Sequence, residues 1–131
     1  FHLQWLGVDE IEGLEKSAEF FPDFTPELAL AMRAETAAFA SHVVLDGDGM
    51  VQTLLGADFT LTEDPDLLAL YGIALPPGHV AGEPVPLPVG QRMGLLMHAS
   101  VLAEHAHVNQ TSPMHLLFRI EQPCHAIHKC R

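Results

Sequence analysis

Apolar positions recur along most of the chain at helical rather than alternating spacing. Phe1, Trp5 and Val8 share one helical face, so the opening reads as the tail end of a helix that Gly7 and Gly13 weaken. The clearest helix follows Thr25, a good N-cap, with Pro26 at the first helical position and Glu27 at the positive end of the dipole. Leu28, Met32, Phe39 and Val43 line its predicted buried face, and six alanines between Ala29 and Ala40 add propensity. The two glycines of Asp46-Gly47-Asp48-Gly49 should stop it. A short helix is predicted from Met50 to Leu55, then an extended stretch over Phe59-Thr60-Leu61-Thr62. Asp64-Pro65-Asp66 repeats the cap-then-proline start for a brief helix through Leu67, Leu68, Leu70 and Tyr71, closed by Gly72. A further helix is predicted from Gly90 to His105 with Leu95, Ala99 and Leu102 facing inward. Thr111-Ser112-Pro113 caps a last one, which Pro123 ends.

Between these elements, Phe20, Phe21 and Phe24 crowd a turn and read as core anchors. Pro76, Pro77, Pro84, Pro86 and Pro88, with Gly78 and Gly82, mark a long exposed connection over residues 73–89, with room for an edge strand near Val85-Pro86-Leu87. The predicted fold class is mainly α: a small helical domain with a long Pro-rich loop and at most a short edge strand. That loop divides the chain into residues 1–75 and 76–131, two parts expected to pack as one unit.

Charge changes this picture. The chain has 131 residues and a formal net charge of -11, with only six Lys and Arg. Such a balance argues against binding nucleic-acid phosphates or anionic lipid by charge neutralisation. No apolar run approaches the ~20 residues that span a bilayer, so no transmembrane segment is expected. Residues 1–66 hold 14 of the 17 acidic residues, whereas residues 67–131 hold seven of the nine His and both Cys. An acidic helical part is thus followed by a histidine-rich one. The chain opens on Phe1 rather than Met and reads as a piece of a longer protein.

Candidate chemistry is sparse. Asp46-Gly47-Asp48-Gly49 invites a calcium loop, but its fifth and twelfth places hold Met50 and Ala57 where oxygen ligands are required. A helix-stop turn is the better reading. His98 and His105 lie seven residues apart and would share a helix face with Leu95 and Leu102, whereas His105 and His107 would diverge at a helix end. The segment Cys124-His125-Ala126-Ile127-His128-Lys129-Cys130 holds soft ligands at close spacing, and His115 could add a fourth to Cys124, His128 and Cys130. Two cysteines make no disulfide framework. There is no Cys-x-x-Cys-His for covalent haem attachment, no Gly-x-Ser-x-Gly elbow and no phosphate-binding glycine loop, so no cofactor is indicated by motif.

An ordered set of motifs carries a resemblance. Phe1-His2-Leu3-Gln4-Trp5-Leu6-Gly7, then Met32-Arg33-Ala34-Glu35-Thr36 with Phe39 and Val43, then Leu54-Leu55-Gly56-Ala57-Asp58-Phe59-Thr60 and Leu70-Tyr71-Gly72-Ile73 resemble a planctomycete and myxobacterial module. Arg92-Met93-Gly94-Leu95-Leu96, Ala99-Ser100-Val101-Leu102 and Thr111-Ser112-Pro113 resemble the module that adjoins it. These are the cytochrome-associated domains of unknown function numbered 1592 and 1588. Where that pattern has an Arg-Gly pair, this chain has Leu116-Leu117. The resemblance implies a large, exported, periplasmic or extracytoplasmic multidomain protein. Its other domains would be the partners, with c-type haem on a neighbouring one. It singles out Trp5, Arg33, Glu35, Thr36, Tyr71, Gly72, Gly94, Thr111, Ser112 and Pro113 as motif residues.

Two functional expectations follow. The first is a non-catalytic helical scaffold or interaction module, with exposed apolar surface at Phe1, Trp5 and the last helix. The second is a metal or redox site in which His98, His105, His107 and His115 converge, with Glu35 or Glu104 as a partner.

Overall fold

The computed structural model describes residues 1–19 and 21–106. Among these residues the fold is mainly α: five helices and one two-stranded antiparallel pair. Helix α1 (His2–Leu6) ends at Gly7, whose φ of 70° is the left-handed conformation that suits glycine. Its apolar side chains divide between core and surface. Leu6 and the following Val8 turn inward, while Phe1 and Trp5 are 89% and 58% exposed and stack on each other.

Helix α2 (Pro26–Ser41) starts as its sequence dictates. The Thr25 hydroxyl accepts from Leu28 N at 3.1 Å, a cap worth ~1 kcal/mol. The helix widens into a π-turn over His42–Asp46 and stops at Gly47. Leu28, Met32, Phe39 and Val43 are all buried, as their spacing predicts. Burial of Phe39 alone contributes roughly 1.5–3 kcal/mol. Two apolar clusters meet on this helix. One joins its Phe39, Ala40 and Val43 to Leu6, Val8, Leu54, Leu95 and Val101. The other joins Leu28 and Met32 to Leu67, Tyr71, Leu87 and Ala99.

By length and composition, the continuous helix Pro26–Asp46 is apolar enough to cross a bilayer. The sequence showed no such run, because Arg33 and Glu35 interrupt it. In this fold the segment is the core helix, and Glu35 lies on its buried face.

Helix α3 (Val51–Gly56) follows the Asp46–Gly49 turn. There the Asp48 carboxylate accepts from Met50 N at 2.8 Å and from the Thr53 hydroxyl at 2.7 Å. The turn therefore stops one helix and starts the next. Strand β1 (Phe59–Thr60) pairs with β2 (Val85–Pro86), Phe59 opposite Pro86 and Thr60 opposite Val85. Between them lies α4 (Pro65–Tyr71), capped by the Asp64 carboxylate and closed by Gly72 in the left-handed region. The Pro-rich connection is clasped by Glu63, whose Oε1 accepts from Gly82 N at 2.8 Å and from His79 Nε2 at 3.2 Å.

The predicted helix from Gly90 to His105 is broken. Gly94 takes φ 61° and ψ 177°, a 3-10 turn covers Leu95–Met97, and His98 is extended. Only Ala99–Glu104 is helical, as α5. The break has a cause: Gly94 N donates to Ala57 O at 2.7 Å, and a Cβ on Gly94 would run into the Leu55 backbone. Of the predicted inward face, Leu95 and Ala99 are buried and Leu102 is half-buried. Phe21 and Phe24 are likewise half-buried and line a cavity, and Phe24 packs against the second apolar cluster; Phe20 lies outside the described residues. The last predicted helix also lies outside them.

Candidate functional site

Helical phase puts two polar residues where α2 should be apolar. Glu35 and Thr36 sit between Met32 and Phe39 on the buried face, and both are buried. Groups so placed must find partners inside the protein. Glu35, 3% exposed, takes two hydroxyl donors: Thr60 from β1 at 2.5 Å on Oε1 and Tyr71 from α4 at 2.5 Å on Oε2. The Tyr71 oxygen in turn accepts from Ala99 N, the first residue of α5, at 3.2 Å. One carboxylate thus ties α2 to β1, α4 and α5.

A second branch runs through Thr36. Its hydroxyl donates to Met32 O at 3.1 Å, one turn back on the helix. Ser100 Oγ lies 2.6 Å away and His98 Nδ1 3.1 Å away. Thr36, Ser100 and His98 thus form one buried hydroxyl–imidazole cluster centred on the Thr36 oxygen. His98 Nδ1 lies 4.0 Å from Glu35 Oε2, beyond hydrogen-bond reach. The His98 ring also packs edge-on against Phe39, 4.7 Å between centroids.

Arg92 closes the site from outside. Its guanidinium lies 4.5 Å over the Tyr71 ring, and Nη1 donates to Met97 O at 2.9 Å, holding the turn that leads to His98.

Burial sets the charge states. It raises the Glu35 carboxyl, against the pull of Thr60, Tyr71 and the positive Arg92. Burial and the adjacent carboxylate lift the Tyr71 phenol well above its ordinary value, so it remains a donor. Burial, helped by the Arg92 charge, lowers His98 to about 3, and the imidazole is neutral at ordinary pH.

The network is turned inward. Ser100, Thr36 and Thr60 are buried, and their oxygens bond to one another or to neighbouring groups rather than facing a cleft. Its chemistry is that of a knot: it fixes the relative positions of four elements around one carboxylate.

The candidate ligands named from sequence separate into three groups. His98 is buried in this network, at 4% exposure. His105 is exposed beyond the end of α5, so the two do not share a helix face. His107, His115, Cys124, His128 and Cys130 lie outside the described residues, as do Thr111, Ser112 and Pro113. Among the described residues no group of three or more His, Cys, Asp or Glu is placed to hold a metal ion.

The motif residues fare differently. Glu35, Thr36 and Tyr71 meet, Gly72 caps α4, and Gly94 makes the close approach to α3. Trp5 is on the surface, and Arg33 is half-buried with its Nε unbonded among the described residues. Reasoning from sequence missed Thr60, Ser100 and Arg92 as members of the site. The available signal was Glu35-Thr36 falling in the apolar phase of α2, which requires hydroxyl or cationic partners elsewhere.

Fold and site together define a small, mainly helical domain knotted around a buried carboxylate. Residues 1–73 match the family model described as "Protein of unknown function (DUF1592)", PSD4, and the chain belongs to that family. No curated protein and no solved structure matches the chain.

Proposed function

We propose that the chain is a non-catalytic helical module that scaffolds neighbouring domains of a larger, exported, cytochrome-associated protein. In this proposal the stretch after the DUF1592 match belongs to the adjoining module numbered 1588, and c-type haem sits on a neighbouring domain. The observation that carries the interaction role is an outward apolar surface. Phe1 and Trp5 stack in the open, and Val44 and the 77% exposed Leu45 border the same shallow depression as Phe1 and Leu3. Exposed apolar clusters of this kind mark contact surfaces. The hydroxyls of Thr36, Thr60 and Tyr71 inside, by contrast, are engaged in holding the fold.

A second reading, a metal or redox site, has one observation in its favour. His98 is neutral with Nδ1 engaged by Thr36, and metal-binding histidines are neutral with one ring nitrogen oriented by such a bond. Its remaining ligands would come from His105, His107, His115, Cys124, His128 and Cys130.

Elemental analysis and an absorption spectrum of the purified chain separate the two. The scaffold reading expects no stoichiometric metal and no chromophore after mild chelation. It also expects that Trp5→Ser with Leu45→Ser lowers binding of a hydrophobic dye without moving the unfolding midpoint. A metal-to-protein ratio near one that His98→Gln abolishes would replace it with the metal reading.

A further inference from the structure

A hollow of about 300 Å³ opens between the turn at residues 21–24, the start of α2 and the outer side of α5. It is the open side of the second apolar cluster. Leu28 and Met32, buried members of that cluster, line it together with the half-buried Phe24 and Ala103, which pack against the cluster. Leu102 and the 48% exposed Leu70 extend the apolar wall to the surface. Apolar surface that is continuous with a core and open to water is best covered by a group that is itself apolar.

The chain leaves the described residues at this hollow. Helix α5 ends at Glu104, and Ala106 stands on the wall, its carbonyl accepting from Lys16 Nζ at 2.7 Å. Residues 107–131 follow, and their sequence predicts a helix over residues 113–122, started by Pro113 and stopped by Pro123. At about 100° per residue, Leu116, Ile120, Leu117, Met114 and Phe118 fall in one arc of roughly 200° centred on Leu117. Glu121 is the one polar residue inside that arc, and His115, Arg119 and Gln122 lie opposite. So short a helix is marginal alone in water and needs an apolar surface to lie on.

Two features favour this chain's own segment as the occupant. The first is reach. Residues 105–112 separate α5 from residue 113, within the ~2–8 residues that join antiparallel neighbours in helical proteins. A helix running back beside α5 for about 15 Å covers the hollow on its flank. The second is charge. Residues 107–131 hold Arg119, Lys129 and Arg131, three of the six Lys and Arg, but only Glu121 of the 17 acidic residues. The strongly acidic remainder of the chain therefore attracts this segment.

We propose that residues 113–122 dock as a helix antiparallel to α5, with Leu117 seated in the hollow between Phe24 and Leu102. The second apolar cluster is thereby closed by a segment of the same chain, and the last helix turns its apolar face inward. This is independent of the scaffold reading, which rests on Phe1, Trp5 and Leu45.

The test is amide hydrogen exchange of the full chain, read by mass spectrometry at two protein concentrations. Amides of residues 115–122 should exchange at least about tenfold slower than in a free peptide of that sequence, equally at both concentrations. Leu117→Asp should bring them to the free-peptide rate and speed exchange at residues 21–24 and in α5, while α2 stays protected. His115→Asp, on the opposite face, should change neither. Leu70→Glu, on the exposed wall, should release residues 115–122 as Leu117→Asp does, and it decides the question if Leu117→Asp loses the α2 protection. Free-peptide exchange at residues 115–122 in the unmodified chain would overturn the proposal. Protection that falls on dilution would overturn it in favour of a second copy. Release by Leu117→Asp with residues 21–24 and α5 unmoved would put the helix elsewhere and overturn it too.

Discussion

Glu35 and His98 sit 4.0 Å apart with opposite titration behaviour, and the two leave opposite marks on stability. His98 is depressed from 6.5 to about 3, so the unfolded chain binds a proton there that the folded chain refuses. Its contribution is therefore complete above pH 6.5 and is lost as pH falls toward 3, at most roughly 5 kcal/mol. Glu35 is raised, so the folded chain keeps its proton longer than the unfolded one. Its contribution is present below the ordinary carboxylate value and is lost as pH rises through the raised one. Urea unfolding across pH should show both limbs. His98→Gln keeps a hydrogen-bonding group for Thr36 and should flatten the acid limb. Glu35→Gln should flatten the limb on the other side. Glu35→Ala leaves two buried hydroxyls without their acceptor and should cost about 2–5 kcal/mol at every pH. An acid limb unchanged in His98→Gln would show that the imidazole is not held neutral by this site.

Among the elements, the α3–Gly94 crossing is the tightest join. A methyl group at residue 94 would overlap the Leu55 carbonyl, on a backbone already at positive φ. Gly94→Ala should destabilise by more than about 3 kcal/mol in thermal or urea unfolding. Gly78→Ala has positive φ but open space around it, and should cost only about 1–2 kcal/mol. Comparable losses in the two variants would mean that the approach to Leu55 is not close. The same position shows what sequence reading could reach. Caps and stops were legible in α2 and α4, because Thr25, Asp64, Gly47 and Gly72 act on backbone groups within a few residues of themselves. The break at Gly94 to His98 was not, because its causes are Leu55 and Ala57 on one side and Thr36 on the other, all distant in sequence. Helical spacing of Leu95 and Ala99 marked them correctly as core while misjudging the backbone between them. The site was half legible for the same reason. Resemblance singled out Glu35, Thr36 and Tyr71, but that they touch, and that Thr60 and Ser100 join them, depends on strand pairing and helix packing.

At the scale of the whole molecule, α2 is shared property. Its two apolar clusters draw Leu87, Leu95, Ala99 and Val101 from the chain after residue 73, and β1 finds its partner in Val85–Pro86. The family match, which ends at residue 73, therefore stops short of the residues that complete the core. A chain cut after residue 73 should show no cooperative unfolding transition and little amide protection in α2, while the full chain shows both. A sharp transition in the shorter piece would show that the second half is dispensable to the core. The arrangement also bears on how the protein is made. A ribosome adds ~5–20 residues per second, so α2 emerges on the order of seconds before its last contacts exist. During that interval the Phe39 face has Leu6 and Val8 but not Leu95 and Val101, and a holding chaperone would find its binding stretch there.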